Sequence, residues 1–76
     1  MSQRSRIFTE RLQQCLDETG APHSVRERAA ILSKMIDIPK HVAFAMLEGH
    51  QVPDNEITEK IAIEFEVDPK WLAGEK

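Results

Sequence analysis

The chain has 76 residues, 41% hydrophobic and 30% charged, which is enough for one small domain and not for two. No apolar run opens it as a signal peptide would, and no segment is long and apolar enough to span a bilayer, so a cytoplasmic protein without a membrane partner is expected. The lone cysteine, Cys15, excludes an internal disulfide, and His23, His41 and His50 share no ligand spacing, so neither metal nor cofactor is expected.

The net charge of −3 and pI of 5.5 are low for a nucleic-acid binder. The charge is uneven, however. Residues 1–40 carry seven Lys/Arg against five acids, and residues 41–76 three against eight. A basic half facing an anionic partner and an acidic half facing away is consistent with this asymmetry.

Five helices are predicted and no strand. The first covers about Ser5 to Thr19, where Phe8, Leu12, Cys15, Leu16 and Thr19 recur at spacings of three and four on one face. Gly20 is its stop signal. Residues 1–5, with Arg4, and then Arg6, are expected to form a flexible arm that adds charge contacts. The second helix starts with the capping box Ser24-Val25-Arg26-Glu27 and carries Ala29, Leu32, Ser33 and Ile36 on one face. It should stop at Asp37, a residue type that tolerates a left-handed backbone. The third begins at Pro39, runs through Val42, Ala43, Met46 and Leu47, and ends at Gly49. The fourth is capped by Asp54 or Asn55 and buries Ile57, Ile61, Ala62 and Phe65; the fifth is short, with Asp68-Pro69 as cap and first turn before Trp71 and Leu72.

The stretch from Ala29 to Glu48 carries the functional signal. Two helices joined by a turn of about three residues make a helix-turn-helix, whose second helix can lie in the major groove. That unit needs an apolar and then a small residue where the axes approach, and Leu32-Ser33 supplies them. It needs an apolar residue one turn on (Ile36), a residue tolerant of positive φ and then an apolar anchor (Asp37-Ile38), and apolar residues three apart facing back (Ala43, Met46).

From about Phe8 to Gly74 the chain resembles the lambda repressor and Cro superfamily of phage and bacterial regulators. Arg11-Leu12 through Gly20 is similar to that family's first helix. Leu47-Glu48-Gly49 followed by Pro53 resembles the end of its recognition helix. Val67-Asp68-Pro69-Lys70-Trp71-Leu72-Ala73-Gly74 resembles its closing segment most specifically. The chain departs from the family pattern in a longer entry to the second helix (Ala21 to Arg28), Ala29 in place of a glutamine, apolar Phe44 and Ala45 on the recognition helix, and Leu47 in place of a glutamate. The resemblance implies an all-α, compact five-helix, lambda repressor-like domain. It also implies a homodimer that binds a palindromic double-stranded DNA operator as a transcriptional regulator, chiefly a repressor.

Within that motif Pro39, Lys40, His41, Phe44, Ala45 and Glu48 are expected to face the groove. Lys40 and His41 are the expected hydrogen-bonding base readers, and Phe44 and Ala45 the expected apolar contacts for a thymine methyl. Phosphate contacts are expected from Arg26, Arg28, Pro39, His50 and Gln51. No catalytic constellation is present, so an enzyme is not expected. The alternative is a protein-interaction module on the same fold, an antirepressor target or antitoxin-like adaptor, that meets a regulatory protein partner through an exposed Phe44/Leu47 patch.

Overall fold

The computed structural model describes residues 3–75, and among these the chain forms five α-helices and no strand: α1 (Gln3–Glu18), α2 (Val25–Ile36), α3 (Lys40–Leu47), α4 (Asn55–Phe65) and α5 (Pro69–Leu72). The order and the apolar stripes agree with the periodicity of the sequence. Each helix start has an identifiable cause. Ser24 accepts from the Glu27 N–H at 3.4 Å, forming the hydroxyl half of the capping box. Asp54 Oδ1 accepts from the Ile57 N–H at 3.0 Å, which settles the cap of α4 on Asp54. Asp68 Oδ1 accepts from the Lys70 N–H at 2.8 Å, with Pro69 in the first turn of α5.

The helix ends are equally local. Asp37 takes the left-handed conformation at φ 55°, as its position in the turn required. Glu66 does the same at φ 56° after α4, where the sequence offers no glycine. The expected arm does not exist over residues 3–5. Gln3, Arg4 and Ser5 belong to α1, because Ser5 is buried and anchors the first turn against the body of the domain. Met1 and Ser2, the rest of that arm, lie outside the described residues. Arg4 pairs with Glu75 at 3.3 Å and Arg6 with Glu10 at 3.9 Å. Both pairs are largely exposed and contribute little to stability.

All five helices feed one core. Phe8, Leu12 and Leu16 of α1 meet Ala29, Leu32 and Ile36 of α2, Ala43, Met46 and Leu47 of α3, Ile61 and Ala62 of α4, and Leu72 of α5. Each large side chain fully removed from water contributes roughly 1.5–3 kcal/mol to holding the helices together. Arg11 closes the domain between its ends: its guanidinium carbon lies 4.9 Å above the Trp71 ring, and Nη1 donates to the Trp71 carbonyl. The radius of gyration is 10.9 Å. No helix among the described residues is long and apolar enough to cross a membrane.

Candidate nucleic-acid interface

The α2–α3 pair is the most extensively packed pair of helices in the domain. Only Asp37, Ile38 and Pro39 separate them. Ser33 fastens this turn: its hydroxyl donates to the Ile38 carbonyl at 2.6 Å, and its own carbonyl accepts the Asp37 and Ile38 N–H groups. The small side chain therefore does more than allow close approach of the axes. It ties Ile38, in the middle of the turn, back to the last turn of α2.

Pro39 is the residue before α3, not its first helical residue. Its extended backbone (φ −61°, ψ 145°) leads in and its carbonyl accepts the Val42 and Ala43 N–H groups. Pro39 offers no side-chain cap. By helix geometry the N–H groups of Lys40 and His41 have no intrahelical acceptor and point along the axis, where a helix favours an anion.

The two faces of α3 differ sharply. Ala43, Met46 and Leu47 are buried. Lys40, His41, Phe44, Ala45 and Glu48 line one shallow, open concavity on the outer side, and His50 completes it from the following loop. All four expected base readers therefore share one surface, as does His50. Lys40 is exposed and makes no ion pair among the described residues, and the same is true of Arg26 and Lys34. Arg26 at the start of α2 and Gln51 in the loop are exposed but lie outside the concavity. The carboxylate of Glu48 sits within it, so the surface is not uniformly basic.

Two expectations fail here. Arg28 cannot meet a phosphate, because it is only 3% exposed and its donors are turned inward. Nε donates to the Pro22 carbonyl at 2.5 Å, and Nη2 donates to Asp17 Oδ1 at 2.5 Å and to the Ala21 carbonyl at 3.5 Å. Nη1 donates to both oxygens of Gln13, side-chain and main-chain. The long entry to α2 is thus folded around a buried arginine. Leu47 is the second correction. It is 3% exposed and packs in the common core, so it cannot share an exposed patch with Phe44. Phe44 itself is half-buried and packs against the core while its edge reaches the concavity.

Gly49 closes α3 as its position in the sequence implies, whereas the bonds that α1 makes to this end have no counterpart in the sequence reading. Gly49 follows it at φ 79°, with the Gly49 N–H donating to Met46 and the His50 N–H to Ala45, a Schellman closure. Two side chains of α1 add to this end. Thr9 Oγ1 donates to the Met46 carbonyl at 2.7 Å and Gln13 Nε2 to the Leu47 carbonyl at 3.4 Å. Compared with protein-family models, curated proteins and solved structures, the chain matches none of them significantly.

Proposed function

We propose that this protein is a sequence-specific DNA-binding regulator of the helix-turn-helix, lambda repressor-like kind. In this reading α2 and α3 are the helix-turn-helix, α3 enters the major groove, and two copies bind the halves of a palindromic operator. Repression follows from occupying promoter DNA. The observation that carries the proposal is the division of α3: one face sunk in the core, the other presenting Lys40, His41, Phe44 and Ala45 together on an open surface after a three-residue turn.

The residue types fit groove chemistry. Lys40 can donate to guanine or phosphate, His41 to a purine acceptor, and Phe44 and Ala45 can pack on a thymine methyl. The first-turn N–H groups of α3 and the unpaired Arg26 supply phosphate contacts, with His50 and Gln51 from the loop. The net charge of −3 limits the non-specific electrostatic component, so affinity on this reading depends on fit to the preferred sequence. The protein-interaction alternative keeps Phe44 at the open surface but loses Leu47 from its patch.

The test is chemical-shift mapping of the isotopically labelled protein with a generic duplex at low salt. Perturbations centred on residues 39–51 and Arg26 are expected. Perturbations centred on α4 or α1, or none at millimolar duplex, would overturn the assignment of α3.

A further inference from the structure

We propose that Gln13, anchored by Arg28 and acting with Thr9, is a positioning residue that sets the carbonyl end of α3 and so the presentation of its outer face. The proposal rests on the reading of α3 as the DNA-contacting helix. Its evidence is a continuous polar path through the domain. Asp17 Oδ1 and the Pro22 carbonyl hold the guanidinium of Arg28, each at 2.5 Å. Arg28 Nη1 donates to Gln13 Oε1, and Gln13 Nε2 donates to the Leu47 carbonyl at 3.4 Å.

The chemistry of this path requires a side-chain amide at its centre. A guanidinium only donates and a carbonyl only accepts, so the group between them must accept on one side and donate on the other. Gln13 does both, and its two partners fix which way the amide points. One turn earlier on α1, Thr9 holds the neighbouring Met46 carbonyl at 2.7 Å. The helix that receives these bonds has eight residues and no side-chain cap at its start. A helix of that length does not hold its shape alone. Its last-turn carbonyls at Met46 and Leu47 are therefore fixed from α1, and its beginning is fixed from α2 through Ser33 and the turn.

The clamp acts without touching the outer face. Gln13 and Thr9 are half-buried, neither lines the concavity of Lys40, His41, Phe44 and Ala45, and both are uncharged. Loosening them lets α3 shift relative to the turn. Networks of this kind alter affinity by about 2- to 30-fold when mutated without ligand contact.

Gln13→Glu and Thr9→Val separate positioning from stability. Gln13→Glu keeps an acceptor for Arg28, so the buried cation stays paired, but it removes the donor to Leu47. Thr9→Val keeps the shape and charge of the side chain and removes only the bond to Met46. The measurements are thermal unfolding, amide exchange at Glu48, Gly49 and His50, and duplex affinity across a salt series. The expected result is a melting temperature within a few degrees of the parent and faster exchange confined to those three amides. Affinity should fall about 2- to 30-fold, with the salt slope of Thr9→Val unchanged. Unchanged exchange at the three amides in both variants would overturn the proposal, as would a loss of affinity that merely tracked a drop in melting temperature. A parent protein that binds no duplex would instead overturn the reading of α3, while the exchange data would still decide whether the clamp exists.

Discussion

Arg28 and Asp17 form an ion pair of 2.5 Å in which the cation is 3% exposed and the carboxylate 57% exposed. The pair is thus one-sided. Most of what Arg28 contributes comes from the carbonyls of Gln13, Ala21 and Pro22 that it satisfies and from the loop it fills, while the exposed carboxylate is well solvated without it. Arg28→Met should therefore destabilise the fold by about 2–4 kcal/mol, since acceptors lose partners inside the domain. Asp17→Asn should cost less than Arg28→Met, because an acceptor stays in place and only the opposite charge is removed. Chemical denaturation of the two variants checks the ordering, and a larger loss for Asp17→Asn would contradict it.

On the outer face of α3, Lys40→Ala should weaken duplex binding by about 1–3 kcal/mol if the lysine reads a base, and should lower the salt slope by about one if it meets a phosphate. Lys40 is exposed and unpaired, so folding should be unaffected. Affinity and salt slope both equal to the parent's would remove Lys40 from the interface.

Met46→Ala tests the inner face. The side chain is fully buried, so truncation should cost about 2–5 kcal/mol of stability through lost transfer energy and the cavity left behind. A variant that melts with the parent would show that α3 is rotated from the position described above.

Glu66 occupies a left-handed turn at φ 56°, which costs a residue with a Cβ more than glycine. Glu66→Gly should raise stability by about 0.5–1 kcal/mol. The site is far in sequence from the outer face of α3, and duplex affinity should not change. A lower melting temperature would contradict this use of the turn.

Burial pushes the Cys15 thiol above its ordinary value, and the nearby Glu18 carboxylate adds to the effect. The folded state therefore favours the neutral thiol. Its contribution to stability is present below the pKa of an exposed thiol and declines as pH rises through and beyond it, because ionisation then favours the unfolded chain. Alkylation of Cys15 should be slow in the native protein and fast in denaturant. Fast modification of the native protein at neutral pH would contradict its burial.

Much of this architecture is local and hence legible in the sequence. Phe8, Leu12, Cys15 and Leu16 form a helical stripe, and Ser24, Asp54 and Asp68 are caps whose hydrogen bonds reach only two or three residues. Asp37 announced its own backbone conformation. What was not legible depends on partners distant in sequence. Arg26-Glu27-Arg28 has the pattern of a solvated face, and only the packing of α2 on α1 turns Arg28 toward Gln13 and Asp17, which lie 15 and 11 residues away. The one available signal was that Gln13 and Asp17 are four apart beside the Leu12/Leu16 stripe, which puts two acceptors on one edge of α1. Leu47 was ambiguous for a similar reason. It lies three residues from Phe44 and four from Ala43, so its spacing joins it to either face of α3, and only the assembled core decides between them. Thr9 and Gln13 carry no local signal of contact with residues 46 and 47, which lie more than 30 positions away.

The most direct test of the DNA-binding proposal is selection of duplexes from a random-sequence pool, followed by mobility shift of the selected and scrambled sequences at low and physiological salt. The proposal predicts a palindromic sequence whose complex survives physiological salt and whose scrambled version does not bind. Weak binding without sequence preference that disappears as salt rises would leave only a non-specific electrostatic interaction and would contradict it.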